Sequence, residues 1–100
     1  MLKEDEQKNC VYMLLCSDGS LYTGWTNNIE KRLRAHNAGV ASKYTRGRLP
    51  VKLAYTEEFA SASEAKRREC AIKKLSRSDK LRLSKTADTS VLLQKQEPTE

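Results

Sequence analysis

Five side chains of this sequence are of types that could do chemistry together. Tyr12 and Tyr22 stand ten positions apart, Arg32 and His36 follow at a spacing of four, and Glu69 comes later. A phenol or an imidazole activates water, a guanidinium steadies charge on phosphorus, and a carboxylate holds Mg²⁺. The combination is typical of phosphodiester hydrolysis. A salt bridge from Glu69 to Arg32 that braces a core would use the same side chains and is the alternative interpretation.

The turn in VYMLLCSDGSLYTG decides whether the two tyrosines share a face of a hairpin. A two-residue turn through Gly19 would leave Tyr12 on the face opposite to Tyr22. A three-residue loop, with Gly19 in the left-handed conformation, would place Tyr12 opposite Gly24 and on the same face as Tyr22. Both turns use the glycine, so the pattern permits either. Glycine inside a strand often marks a close approach, and here it would leave an open spot beside both rings.

Three strands and three helices are predicted around these residues. The strands are CVYMLLC, LYTGW and VKLAYTEE, the last one started by Pro50, and GVASKYTRGRLP is predicted to be a loop. The helices run from Asn28 to about Asn37, from Ser61 to about Leu75, and over 77–84. The order β-β-α-β-α-α indicates an α+β fold, a small three-stranded antiparallel sheet flanked by helices.

Helix periodicity places charged side chains on faces that should pack against the sheet. The first helix has Asn27 as its expected N-cap and an apolar stripe through Leu33, and steps of three and four along that stripe reach Arg32 and His36. Glu69 falls within the apolar arc of the second helix. An arginine stem lying on the core and a buried, satisfied histidine are the alternative interpretations of the first two positions.

Charge is concentrated in the second half of the sequence. The formal net charge is +6, and residues 31–85 hold 16 Lys or Arg against 5 Asp or Glu. Such an excess favours a polyanionic partner, most often nucleic acid. The loop residues Lys43, Tyr44, Arg46 and Arg48 combine three cations with a ring that could stack on an unpaired base, while a solvated loop with the ring in the core is the alternative.

Cysteine usage and hydropathy give expectations about location. Cys10, Cys16 and Cys70 are odd in number and unsuitably spaced for a disulfide framework or a zinc site, so they are predicted to be reduced and mostly buried. No apolar run approaches a membrane span and the N-terminus is too polar for a signal peptide, so we expect a cytoplasmic protein without membrane contact. One domain over 9–85 is predicted, with a flexible 1–8 and a disordered tail 86–100.

Four segments in order resemble the GIY-YIG nuclease superfamily, most closely its small single-domain bacterial members. The sequence Cys-Val-Tyr ending at Tyr12 stands where the family has Gly-Ile-Tyr, and Tyr22-Thr23-Gly24 stands where it has Tyr-Ile-Gly. TNNIEKRLRAHNAG resembles the helix that carries the family's arginine, and SEAKRRECAIKKL the helix that carries its metal-binding glutamate. The resemblance covers residues 10–83 and implies the GIY-YIG fold.

The resemblance also implies roles for the five side chains. Tyr22 would be the general base or would polarise the attacking water, and Tyr12 would help to position the water and the scissile phosphate. Arg32 would bind that phosphate, and Glu69 would ligate a single divalent ion, Mg²⁺ or Mn²⁺. His36 resembles the histidine with which some members assist the tyrosine. The implied activity is that of a metal-dependent endonuclease acting on DNA, in repair or recombination.

Departures from the family's pattern leave other interpretations open. Many active members have an asparagine after the glutamate helix, whereas 76–86 contains none. Lys74 or Lys80 could contact phosphate in that area. A nucleic-acid-binding module with little or no cleavage is therefore the rival function, and RNA would satisfy the same cations. A third interpretation is an adaptor whose VLL segment in the tail docks on a protein partner that supplies targeting.

Overall fold

The structure, a computed structural model, describes residues 8–85. The predicted flexible N-terminus and the tail with its VLL segment lie outside these residues, apart from Lys8, which is exposed. Within them no helix is long and apolar enough to cross a membrane.

A three-stranded antiparallel sheet forms the centre of the molecule, as the sequence predicted. The strands are β1, Asn9–Leu15, β2, Leu21–Thr26, and β3, Lys52–Phe59, in the order β2-β1-β3. The central strand is β1, whose middle positions carry apolar side chains on both faces and are fully buried. Its two faces therefore belong to different parts of the core.

The β1–β2 turn adopts the three-residue form. Gly19 has φ +86°, and the amide of Cys16 donates to the carbonyl of Ser20 at 2.9 Å. This register pairs Tyr12 with Gly24, which places the two tyrosines on one face. The left-handed glycine thus selects the register that the sequence had left open.

Within residues 8–85, four helices surround the sheet. They are α1, Ile29–Asn37, α2, Lys43–Arg46, α3, Ala62–Lys73, and α4 at 77–85. The predicted N-cap of α1 was wrong by one position, because the side chain of Asn28 caps the helix by accepting from the amide of Lys31 at 3.1 Å. The helix predicted to begin at Ser61 is α3, with Ser61 as its N-cap, although this helix ends at Lys73 rather than near Leu75. The prediction of an unbroken loop was also wrong, since α2 lies within it.

Two apolar clusters hold the helices on opposite faces of the sheet. Val11 and Met13 pack with side chains from β3 and α3, and the buried members of that cluster are completed by Tyr55, Ala65 and Ile72. Tyr12 and Leu14 point the other way, into a cluster that Ile29 and Leu33 of α1 border. The alternation along β1 thus turns Tyr12 toward α1.

The three cysteines are free, as expected, but only two of them are buried. Cys10 and Cys16 lie in the core, whereas Cys70 is exposed on α3. The expectation of mostly buried thiols was therefore wrong for Cys70, which lies outside the apolar arc of its helix.

Gly24→Ala is expected to destabilise the fold by about 1–3 kcal/mol. A β-carbon at this position would lie 2.7 Å from Oη of Tyr12, so the open spot predicted beside the rings is filled by the Tyr12 hydroxyl itself. Urea unfolding would measure the loss. Gly47→Ala is the matched control, because nothing lies within 4 Å of a β-carbon there, and its change is expected to stay within about 0.5 kcal/mol. Equal effects of the two substitutions would contradict the prediction.

Candidate active site

A buried hydrogen bond between Tyr12 and His36 forms the centre of the site. Tyr12 is 1% exposed on β1 and His36 is 0% exposed in the last turn of α1. Oη of Tyr12 lies 2.8 Å from Nε2 of His36, and Nδ1 of His36 lies 2.8 Å from Oγ1 of Thr45 on α2. Both imidazole nitrogens are thus engaged inside the protein. Three elements meet at this ring.

Burial sets the protonation state of the pair. It raises the pKa of the Tyr12 phenol far above the ordinary value, and the neighbouring Tyr22 adds to that rise. Burial also lowers the pKa of His36 below its ordinary value of 6.5, with a further contribution from the charge of Arg32. At neutral pH both partners are therefore uncharged. A neutral phenol bonded to a neutral imidazole is an arrangement through which a proton can move.

Tyr22 extends this centre toward the surface. Its ring centroid lies 6.3 Å from that of Tyr12 and 5.1 Å from that of His36. On β2 it is only partly buried, and it stacks on Tyr44 with centroids 5.9 Å apart. The imidazole bonds to Tyr12, so the assistance that the resemblance implies for a tyrosine is available to this residue rather than to Tyr22.

Arg32 supplies positive charge from α1 while its side chain stays exposed. Its charge lowers the pKa of His36 and acts on Tyr12 in the same direction. The periodicity predicted that this arginine would turn toward the sheet, and its charge does reach the buried pair. Because the side chain is open to solvent, an anion can approach the guanidinium.

Glu69 lies on α3, close enough for its charge to act on Tyr12. Its side chain is 17% exposed, and its negative charge contributes to the raised pKa of Tyr12. Oε2 lies 2.9 Å from Nζ of Lys73, one turn further along the helix. Within residues 8–85 the ion pair of Glu69 is therefore made with Lys73. The alternative in which Glu69 braces the core through Arg32 does not describe this structure.

The donor set at Glu69 fits one kind of metal. Residues 8–85 contain no group of three or more His, Cys, Asp or Glu side chains that could hold an ion. These residues therefore do not offer the several protein ligands that zinc and similar ions require. Mg²⁺ keeps several water molecules and binds through one or two carboxylates and the phosphates of its substrate. A single carboxylate that is partly shielded from solvent suits such an ion, or Mn²⁺ in its place.

Arg48 forms a clamp between α2 and the hairpin turn. Its Nε donates to Oδ2 of Asp18 at 2.9 Å, and its Nη1 donates to the carbonyl of Tyr44 at 2.7 Å. Its guanidinium carbon lies 3.9 Å from the centroid of the Tyr44 ring. The amide of Ser17 also donates to the carbonyl of Arg48 at 2.9 Å. We call these four residues the Arg48 clamp.

The other predicted nucleic-acid contacts are distributed over three places. Lys43 and Arg46 are exposed on α2, beside the clamp. Tyr44 is 39% exposed, and its ring stacks on Tyr22 rather than lying in the core. Lys74 is exposed at the C-cap of α3, and Lys80 is partly buried on α4. The structure thus brings the cations of α2 next to the tyrosines and sets the two lysines on the other helices.

Thr45 is the site residue that the sequence analysis missed. It is 0% exposed and contacts the histidine of the centre, yet it stands among charged residues in what was predicted to be a loop. A signal was present in the spacing of Ser42 and Thr45. Ser42 caps α2, with its Oγ accepting from the amides of Tyr44 at 3.0 Å and Thr45 at 3.4 Å.

A comparison with known protein families gives a match over most of the chain. A model of the GIY-YIG catalytic domain matches residues 8–82, which is most of the chain. The chain belongs to the GIY-YIG family. It is therefore a small, single-domain member of a nuclease-like family. The GIY-YIG match begins just before β1 and runs into α4, so it includes all five side chains with which the sequence analysis began.

Relatives of this GIY-YIG protein extend across bacteria and archaea. It is 63% identical over 75 residues to the UPF0213 protein of Clostridium perfringens, which covers 75% of this chain and 81% of that one. The UPF0213 protein of Halobacterium salinarum is 57% identical over 70 residues, 70% of this chain and 91% of that one. The names of these relatives place them in one protein group and state no specific activity.

Solved structures show the same GIY-YIG architecture. An E. faecalis protein determined by solution NMR gives a TM-score of 0.56 at 44% sequence identity, covering 81% of this chain and 86% of that one. The NMR structure of a UPF0213 protein from Bacillus halodurans gives 0.50 at 46% identity, covering 76% of this chain and 81% of that one. The α+β fold class predicted from the sequence is confirmed.

Proposed function

We propose that this protein is a divalent-metal-dependent endonuclease that hydrolyses phosphodiester bonds of DNA, acting in the cytoplasm on branched or damaged structures during repair or recombination. The observation that carries the proposal is the buried Tyr12–His36 hydrogen bond. A phenol bonded to a neutral imidazole can take up one proton and pass another to the imidazole. Such a pair suits a site where a water molecule must lose a proton beside a phosphate.

Tyr12 acts as the immediate proton acceptor in this mechanism. As Oη of Tyr12 takes a proton from the attacking water, the phenol proton moves to Nε2 of His36, which becomes an imidazolium. The hydroxide oxygen forms a bond to phosphorus, and the bond from phosphorus to the leaving sugar oxygen breaks. That oxygen takes a proton from solvent. The role of base thus moves to Tyr12 from Tyr22, to which the resemblance assigns it.

The other side chains of the site position the water and the phosphate and stabilise the charge that develops on phosphorus. The partly buried ring of Tyr22 forms one wall beside the water, stacked on Tyr44. Arg32, open to solvent, binds a phosphate oxygen and balances the charge that develops on phosphorus. Glu69 would hold one Mg²⁺ or Mn²⁺ ion. When bound, such an ion supplies further positive charge at the phosphate.

The binding surface follows from the distribution of charge. Exposed cations on α2, Lys43 and Arg46, lie next to the tyrosines and suit contacts with backbone phosphates. Lys74 and Lys80 would extend that track along the helices behind Glu69. The guanidinium of Arg48 is bonded within the Arg48 clamp, so its role in DNA binding is to hold Tyr44 in place. A protein partner that supplies targeting would add specificity that phosphate contacts lack.

Cleavage of a labelled set of single-stranded, duplex, flap and branched DNAs, with matching RNAs, would test the proposal. We expect cleavage of DNA in Mg²⁺, strongest on the branched forms, and none after the ion is removed with EDTA. Gel shift on the same set reports binding separately. Binding with a steep salt dependence but no cleavage under any condition would contradict the proposal and favour the nucleic-acid-binding module.

A further inference from the structure

The direction of the hydrogen bonds around His36 determines whether Tyr12 can act as proposed. A neutral imidazole carries one proton, on either Nδ1 or Nε2. If the proton is on Nδ1, the lone pair of Nε2 accepts from the Tyr12 hydroxyl. If it is on Nε2, the imidazole donates to Tyr12 and has no lone pair there to receive a proton. The two tautomers thus differ in function although the heavy atoms are in the same places.

Thr45 connects the ring to an atom that can only accept. Oγ1 of Thr45 lies 2.8 Å from Nδ1 of His36 and 3.4 Å from the carbonyl oxygen of Ser42. A carbonyl oxygen cannot donate, so the threonine hydroxyl is the donor in that contact, which favours the use of its single proton there. The hydroxyl then faces His36 as an acceptor, and the imidazole proton belongs on Nδ1.

The other end of the chain of hydrogen bonds favours the same direction. Tyr12 is 1% exposed, and within residues 8–85 its hydroxyl makes one hydrogen bond, the one to His36. If Nε2 carried the proton, the phenol would have to accept in this bond. Its own proton would then be left without a protein acceptor, which is unfavourable for a buried donor. Both ends therefore favour Nε2 as the acceptor.

The position of Thr45 is itself fixed. The side chain of Ser42 accepts from the amide of Thr45, and the carbonyl of Ser42 accepts from the amide of Arg46 at 3.0 Å. These bonds fix the single turn of α2, and the bond between Thr45 and His36 joins it to α1. Thr45 is 0% exposed, as is His36, so water does not compete for Nδ1.

We propose that Thr45 is a positioning residue that fixes His36 in its Nδ1–H tautomer, leaving Nε2 as the acceptor for the Tyr12 phenol proton. The catalytic part of this inference rests on the proposed function, whereas the tautomer does not. Thr45 touches neither substrate nor water in this mechanism. It acts through the imidazole, and through it on the basicity of Tyr12.

Nitrogen-15 NMR of the imidazole tests the tautomer without any substrate. His36 is the single histidine of the chain, so protein labelled with ¹⁵N-histidine and freed of any affinity tag gives one pair of ring signals. We expect the wild type at pH 7 to show a protonated Nδ1 and an unprotonated Nε2. A wild-type protein with the proton on Nε2 would overturn the inference, whatever the variants do.

Two substitutions at position 45 extend the test. Thr45→Val keeps the shape but leaves Nδ1–H without an acceptor, so the population of the Nε2–H tautomer is expected to rise, since only the Tyr12 end still favours Nδ1–H. Thr45→Ser keeps the hydroxyl and should retain the wild-type tautomer. A folded valine variant with the same tautomer populations as the wild type would overturn the inference. If valine prevents folding, the wild-type and serine spectra still decide it.

Cleavage rates separate this inference from the proposed function. Thr45→Val should lower the rate of DNA cleavage at least about tenfold, with DNA affinity unchanged, and Thr45→Ser should restore it. If the wild type has the Nδ1–H tautomer but never cleaves, the proposed function fails and the tautomer assignment stands. If it cleaves with the proton on Nε2, the function stands and the role of Thr45 fails.

Discussion

Glu69→Gln is expected to lower metal-dependent cleavage by roughly three orders of magnitude. Glutamine has nearly the shape of glutamate but carries no charge, and hard divalent cations bind carboxylates far better than neutral amides. The carboxylate is 17% exposed, its charge acts on Tyr12, and the described residues contain no cluster of three or more metal-ligating side chains that would hold the ion without it. Cleavage rates in Mg²⁺, together with Mn²⁺ binding measured by electron paramagnetic resonance, would check both parts of this expectation.

Two substitutions on the same helix serve as controls for Glu69→Gln. Glu64→Gln removes an exposed carboxylate from the first turn of α3 and should leave both cleavage and Mn²⁺ binding unchanged. Lys73→Gln breaks the ion pair of Glu69 from its other end while keeping the carboxylate, so metal dependence should persist. Full activity of Glu69→Gln in Mg²⁺ would show that this carboxylate holds no essential ion.

Tyr12→Phe is expected to slow cleavage by about 10²–10⁴-fold while leaving DNA affinity nearly unchanged. Phenylalanine keeps the ring that packs in the core and removes the hydroxyl that bonds to His36 at 2.8 Å. The water then has no phenol oxygen to take its proton. Because Tyr12 is buried and Arg32 is untouched, phosphate binding should persist. Single-turnover rates and gel shift on the same DNA would separate the two effects.

Tyr55→Phe is the matched control for Tyr12→Phe. Tyr55 is a tyrosine of β3 that is 3% exposed, and its hydroxyl donates to Oε1 of Glu57 at 2.8 Å on the other face of the sheet. Losing this hydroxyl should reduce stability by about 1 kcal/mol and leave the cleavage rate unchanged. Equal losses of cleavage in the two variants would mean that Tyr12 matters for stability alone.

Local sequence rules predicted much of the fold because they operate over short distances. Gly19 could be recognised as a turn residue, and the three strands could be recognised from their residue types. The exact register could not be chosen, since it depends on how the loop closes rather than on residue type. The N-cap of α1 was missed by one position because Asn27 and Asn28 are chemically equivalent candidates.

The parts of the site that were not predicted depend on contacts between distant segments. A helix of four residues, such as α2, is too short to give a periodic apolar pattern, so Thr45 could not be assigned a buried face. Arg48 was grouped with the cations for phosphate because its partner Asp18 lies thirty positions earlier. Glu69 and Lys73 are four residues apart, which is the ordinary spacing of an ion pair on a helix. The alternative interpretation paired Glu69 with Arg32 and did not consider Lys73.

The Arg48 clamp joins the hairpin turn to α2. We therefore expect these two segments to open together, as one local unit. The clamp includes Tyr44, and Thr45 is the next residue along the same single turn of helix. If the clamp opens, Tyr44 leaves Tyr22 and Thr45 leaves His36 in the same event, while the hydrogen bonds of the sheet persist. The free energy of that opening is therefore a property distinct from global stability. Under the proposed mechanism, we expect this small unit rather than the core to set the fraction of folded molecules in which Thr45 contacts His36.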